Sequence, residues 1–208
     1  MSPDELSDLR GRPVSRETAE RLAAYVALLE KWTPRINLVS AATLREVWTR
    51  HILDSLQLHD LAGAVGGHWA DLGSGGGLPG LVVAILAAAE APDLRVTLVE
   101  SDQRKAAFLS AALRETGVRA TVRAERIEAL PPLAADIVSA RALAPLDRLL
   151  GYAARHMHPS GKAFFPKGRN CEAELAEALA SWRFRYQKHP SRTDSQAVIL
   201  QIEDIARG

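Results

Sequence analysis

Two periodicities divide the chain. From Ser15 onward, Leu22, Tyr25, Val26, Leu28, Leu29 and Trp32 recur on one helical face, and Thr33-Pro34 predicts the end of that helix. A second helix is expected behind Thr43-Leu44-Arg45-Glu46, which fits a capping box, with Val47, Trp48, Ile52, Leu56 and Leu58 as its apolar positions. On it Arg50 and Asp54 stand four apart, as do His51 and Ser55, so two polar pairs are expected to stack on neighbouring faces. Further along, the pattern shortens. Segments around His68 to Leu72, Arg95 to Glu100, Ala120 to Arg123, Asp136 to Ala140, Lys162 to Pro166, Phe184 to His189 and Ala197 to Glu203 read as strands. Helical patterns at Pro79 to Ala89, Asp102 to Thr116, Pro145 to Met157 and Glu172 to Trp182 alternate with them. Such alternation predicts an α/β fold: a doubly wound, mostly parallel sheet of about seven strands with helices on both faces. Only a short polar stretch, His189 to Ser195, separates the last two strands, so a hairpin is expected to put one antiparallel strand at the end of the sheet. The change of pattern predicts a helical extension over residues 1–62 that covers the site and a sheet domain over residues 63–208.

Composition narrows the function classes. With 208 residues, 47% of them apolar, the chain can bury a full core. A formal net charge of +1 supplies no overall field toward nucleic acid, so any basic surface must be local. Cys171 is the only cysteine, which excludes an internal disulfide and a cysteine metal cluster, and no metal requirement is suggested. No apolar run is long enough to span a bilayer, and Met1-Ser2-Pro3-Asp4-Glu5 lacks the basic start of a signal peptide. A reducing cytoplasm is the expected setting, with no membrane partner and a monomeric chain.

The densest chemical signal is Asp71-Leu72-Gly73-Ser74-Gly75-Gly76-Gly77-Leu78-Pro79-Gly80, a strand end, a glycine turn and a helix start. Glycine at such a turn lets the backbone approach a ligand and reach positive φ without strain. Gly75, Gly77 and Gly80 can be laid on the G-x-G-x-x-G fingerprint of dinucleotide enzymes, which keeps an NAD-dependent oxidoreductase open. Asp71, Gly73, Gly75 and Gly77 also form the acid-x-Gly-x-Gly-x-Gly turn of S-adenosylmethionine enzymes. An acid two residues before the first glycine can bind the amino group of a methionine moiety or order the turn that does, whereas it would repel a pyrophosphate. The methyl donor is therefore favoured.

In an open doubly wound sheet, ligands gather beyond the carboxyl ends of the strands. After the second strand Glu100 is placed to accept both ribose hydroxyls, and after the third Ile127 can lie on an adenine face while Glu128 accepts from its amine. Arg141 follows the fourth strand, where transfer should occur; its other expected partner is a helix carboxylate such as Glu128. Lys167 and Arg169 follow the fifth and form a basic patch, with Arg104, Lys105 and Arg126 as additions.

Several separated motifs then resemble one family in order. They are Lys31-Trp32 with Asn37-Leu38 and Ser40, Arg50-His51-Ile52-Leu53-Asp54-Ser55, the turn Asp71 to Gly80, Arg126-Ile127-Glu128, Ser139 with Arg141-Ala142, and Lys167-Gly168. Over almost its whole length the chain resembles the bacterial glucose-inhibited division protein B family, 16S ribosomal RNA guanine-N7 methyltransferases. The resemblance implies a class I methyltransferase fold, S-adenosylmethionine as cofactor, and 16S RNA or the assembling small subunit as partner. It also implies donor contacts at Gly73, Leu78, Ile127, Glu128 and Arg141, and a site-covering role for the segment Arg50 to Ser55. The chain departs from the family at Thr33-Pro34 and at Asp194-Ser195-Gln196, where a basic-histidine pair is common. RNA contacts are expected from Arg50, His51, Lys167 and Arg169. Besides the oxidoreductase, a non-catalytic RNA-binding module stays open, although a strong basic stripe or stacking platform is usual there.

Overall fold

The computed structural model describes residues 1–63 and 66–208. Strands β1 (Gly66–Leu72), β2 (Asp93–Val99), β3 (Thr121–Arg123), β4 (Ala135–Ser139), β5 (Met157–Lys167), β6 (Trp182–Pro190) and β7 (Val198–Arg207) form one sheet. Their order is β3-β2-β1-β4-β5-β7-β6. Strands β1 to β5 pair in parallel, and β7 runs antiparallel to both β5 and β6. The expected hairpin forms, but its antiparallel member lies one place in from the edge. Ile199, Leu200 and Ile202 of β7 are buried, whereas β6 is mostly exposed from Arg183 to Lys188, so the more apolar strand takes the covered position. The order reverses between β1 and β4, which opens a crevice beyond the carboxyl ends of those two strands.

Helices α1 (Pro3–Arg10), α2 (Arg16–Ile36), α3 (Ala41–Leu44) and α4 (Asp54–Ala62) precede the sheet; α5 (Gly80–Glu90), α6 (Gln103–Thr116), α7 (Leu146–His156) and α8 (Cys171–Leu179) connect its strands. Tyr25, Leu29, Ile52 and Leu56 from the N-terminal segment share one buried cluster with Leu81, Ile85 and Phe108 of α5 and α6. A second cluster packs Leu149, Leu150, Leu175 and Trp182 on the opposite face. The N-terminal helices thus complete the main core.

Three expectations about the N-terminal segment change. The helix from Ser15 runs through Pro34 to Ile36: the proline forfeits the bond to the Glu30 carbonyl but does not end the helix, which Asn37 closes at φ 50°. Thr43 and Glu46 form no capping box. Ser40 caps the short α3 by accepting from the Thr43 N–H at 3.2 Å, and Glu46 pairs with Arg50 at 3.0 Å. Trp48–Leu53 then forms a wide π-helical turn that runs into α4. There Arg50 makes its close ion pair with Glu46 rather than with Asp54, although its charge still acts on the Asp54 carboxylate, and Ser55 donates to the backbone carbonyl of His51 at 2.8 Å rather than to its ring. Helix α1 itself was unforeseen, although Ser2 and Glu5 make a reciprocal capping box at 3.1 and 2.6 Å. It ends in Arg10, fully buried, which donates to Asp60 of α4 and Glu90 of α5. Burial opposes that charge, yet the bonds to Glu90 and Asp60 outweigh it and raise the Arg10 pKa.

Candidate active site

Beyond β1 the chain turns back on itself through backbone bonds. Ser74 N–H donates to the Val99 carbonyl at 2.9 Å and Gly77 N–H to that of Ser74 at 2.7 Å. Gly75 sits at φ 53°, and a Cβ there would find only the Gly73 carbonyl at 3.8 Å, so its backbone faces open space. Gly80 is the opposite case: a Cβ would meet Asp71 Cβ and Leu98 Cδ2, both at 2.5 Å. Between Leu78 and Pro79 the peptide bond is cis, and Pro79 stands just outside α5 rather than in its first turn.

Asp71 is fully buried beneath this turn. Its Oδ2 accepts from Gly80 N–H at 3.2 Å and its Oδ1 from the Ser139 hydroxyl at 2.6 Å. Ser139 accepts in turn from Trp69 Nε1 at 2.8 Å, which links β1 to β4 through side chains. Burial pushes the Asp71 carboxyl up to about 6, with the bonds from Ser139, Ser74 and Gly80 restraining it. Through these bonds the carboxylate ties β1 to the end of the turn and to β4. Gly77 likewise packs inward, where a Cβ would press on Leu81 at 2.8 Å. Asp71 and Gly77 are not among the residues that line the cavity.

That cavity measures about 910 Å³ and spans the crevice. Gly73, Gly75 and Leu78 form one wall and Glu100, Ile127 and Glu128 the next. Glu100 is fixed by two backbone donors, Gly75 N–H on Oε2 and Asp102 N–H on Oε1, each at 2.8 Å. Glu128 accepts through Oε1 from the Tyr152 hydroxyl at 2.6 Å and from Arg148 at 2.9 Å. The Tyr152 bond is foremost in lowering its pKa to about 2. Arg141 does not pair with Glu128; Arg148 does.

Arg141 instead crosses the cavity, donating through Nη1 to the Arg50 carbonyl at 3.3 Å and standing 3.9 Å from Asp54 Oδ2. Arg50 pairs with Glu46 and approaches Asp194 at 3.7 Å. His51 binds the Thr43 hydroxyl through Nε2 at 2.9 Å, and burial with the nearby Arg141 charge lowers its pKa to about 4, so the ring is neutral at pH 7. Lys167 is buried and donates to Glu174 at 2.7 Å, which makes it a cavity wall residue with a neutralised charge rather than part of an open basic patch. Arg169 is exposed off the cavity, Lys105 and Arg126 line its edge, and Arg104 is spent on Asp102.

Sequence reasoning missed the site roles of Tyr25, Glu174 and Thr193, and the pairing of Thr193 with Asp54. Tyr25, read as a core position, donates its hydroxyl to the Gly76 carbonyl at 2.6 Å. Glu174 holds both Lys167 and the Leu146 N–H at the start of α7. Asp54 and Thr193, 139 residues apart, are hydrogen-bonded at the rim. No local pattern marks any of these pairings.

Residues 18–201 match the family model described as rRNA small subunit methyltransferase G. The chain belongs to that family. A ribosomal RNA small subunit methyltransferase G from Ruegeria sp. (strain TM1040) is 53% identical over 205 residues, covering 97% of this chain and all of the relative. One from Ruegeria pomeroyi is 54% identical over 194 residues, covering 93% and 95%. The fold is that of class I methyltransferases: a TehB-like methyltransferase from Corynebacterium glutamicum superposes with a TM-score of 0.58 at 14% identity, over 86% of this chain and 98% of that one. Family membership makes the chain a methyltransferase and removes the oxidoreductase and the non-catalytic module. Among the described residues no helix is long and apolar enough to cross a membrane.

Proposed function

We propose that this protein transfers a methyl group from S-adenosylmethionine to N7 of a guanine in 16S ribosomal RNA, acting as a cytoplasmic monomer on the RNA or the assembling small subunit. The observation that carries the reading is one continuous cavity joining the glycine turn to Arg141 and the Arg50–Asp54 segment. Its residues suit the donor. Gly75 leaves the backbone open to a ligand, Leu78 and Ile127 offer apolar contact to an adenine, and Glu100 is already oriented to accept from ribose hydroxyls. Glu128 lines the same wall and would accept from the adenine amine. When bound, S-adenosylmethionine supplies an electrophilic methyl on a cationic sulfur, and the C–S bond breaks with its pair kept by sulfur as the N7 lone pair forms the new C–N bond.

N7 carries an in-plane lone pair and no proton, so this chain's task is alignment, which removes roughly 7–11 kcal/mol of barrier in well-oriented systems. Asp71 and Tyr25 hold the turn in place from beneath; Arg141 holds the far lip. Residues 1–62 act as an extension that closes one side of the cavity, with Arg50 and Arg126 offered to RNA phosphates at its edge and Arg169 beyond it.

Calorimetric titration of S-adenosylmethionine tests the donor pocket. Micromolar-range binding by the parent should weaken about a hundredfold or more in Gly75→Val, a β-branched side chain forced to positive φ, while thermal melting reports an intact fold. In cells lacking the chain, mass spectrometry of small-subunit RNA should show one 7-methylguanosine missing. Equal donor binding by parent and variant, or unchanged RNA, would overturn the proposal.

A further inference from the structure

The rim of the cavity carries a feature that methyl transfer alone does not require: a carboxylate and a guanidinium side by side. Asp54 begins α4 at the end of the wide turn, Arg141 follows β4, and both line the cavity. Oδ1 of Asp54 accepts from the Thr193 hydroxyl, whereas Oδ2 lies 3.9 Å from Arg141 Nη1, beyond hydrogen-bond length. Arg141 offers five N–H donors in a planar fork, of which Nη1 reaches the Arg50 carbonyl. Two half-buried charges, 26% and 18% exposed, thus face the same space without closing on each other.

Their chemistry selects an occupant. A phosphate at Arg141 would meet the Asp54 carboxylate, so the pair is poorly built as a backbone anchor. The Watson–Crick edge of guanine instead presents N2–H and N1–H donors followed by the O6 acceptor, the complement of a carboxylate beside a guanidinium. Building on the methyl-transfer reading above, we propose that Asp54 reads the target base by accepting from guanine N1–H and N2–H while Arg141 donates to O6. Adenine would set its N1 lone pair against the carboxylate and its amine against the guanidinium, a mismatch at both positions. N7 lies on the adjoining edge, beyond O6, and stays free to react. The base must leave its stack for this edge to be exposed, as enzymes acting on bases in folded nucleic acid require.

The competing role for Asp54 is structural, tying α4 to the hairpin loop through Thr193. Thr193→Val removes that tie and keeps the carboxylate. The guanine methylated by the parent is first located by mass spectrometry, and small subunits are then reconstituted with ligated RNA carrying guanine or inosine, which lacks the N2 amine, at that position. The parent should favour guanine over inosine in kcat/KM on the order of tenfold or more, as expected for loss of a hydrogen bond to a charged group. Asp54→Asn should slow on guanine and narrow that ratio to about threefold or less, with donor affinity unchanged in calorimetry. Thr193→Val should keep the parental ratio. A parental ratio in Asp54→Asn, or equal loss of discrimination in Thr193→Val, would overturn base reading while leaving methyl transfer standing. A parent that methylates neither particle would overturn the methyl-transfer reading and this inference with it.

Discussion

The two ends of the cavity are built differently. The turn at the donor end is made of backbone: a single stretch from Asp71 to Gly80 supplies it, and the side chains beneath it, Asp71, Ser139 and Tyr25, act by holding peptide groups or one another. The rim is made of side chains drawn from three distant places, with Asp54 after the wide turn, Arg141 after β4 and Thr193 in the last hairpin loop. A backbone site tolerates no added atoms where it is closed, because peptide groups cannot rotate out of the way. A side-chain site can loosen at one contact and keep the others.

The sharpest way to break this contrast is Gly80→Ala. A methyl group there would meet β1 and β2 atoms at 2.5 Å, so stability should fall by about 3 kcal/mol or more, with donor binding lost in step. Denaturant melting and calorimetry together report both; a well-folded variant with full donor affinity would show that the turn is not a rigid unit. At the rim, Gln57 is buried and joins α4 to the hairpin loop, donating to the Pro190 carbonyl at 2.8 Å and accepting from Arg192 N–H at 3.0 Å. Gln57→Ala should cost about 1–3 kcal/mol, the range for stranding buried polar partners. Amide exchange at Arg192 should quicken while donor affinity stays within about twofold, as expected of ends that are energetically separate. A parallel collapse of donor binding would join the two ends into one unit.

The last effect concerns pH. The Asp71 carboxyl is raised to about 6 in the folded chain, above the ordinary range near 4 for an unfolded aspartate. Between those values the folded state holds a proton that the unfolded state has released. Stability should therefore fall as pH rises from about 4 to 6, by about 3 kcal/mol, and level off above. Asp71→Asn should remove that slope, which melting curves across the interval would reveal; an unchanged slope would place the titrating group elsewhere.

The donor end was legible in the sequence because contiguous residues make it. An acid, five glycines and a proline within ten positions name a turn, and the alternation of short apolar runs places it at the end of a parallel strand. Even there the direction of Asp71 was open, since spacing does not say whether a carboxylate points at the ligand or under the loop. The helical face from Leu22 to Trp32 was equally readable, but not that Tyr25 would reach the Gly76 carbonyl. Lys167 shows the limit from the other side. Its neighbours in sequence suggest a basic patch, and only the fold brings Glu174 to within 2.7 Å and cancels the charge.

By itself the sequence determined the layered architecture, the family and the location of the glycine turn, because periodicity and contiguous motifs are local properties carried along the chain. Tertiary structure decided which strand lies inside the hairpin, which charges are spent on one another, and which pair is left facing the cavity. Those outcomes depend on residues brought together from far apart, as with Asp54, Arg141 and Thr193, and on burial, which sets whether a charge is solvated, paired or kept for a ligand.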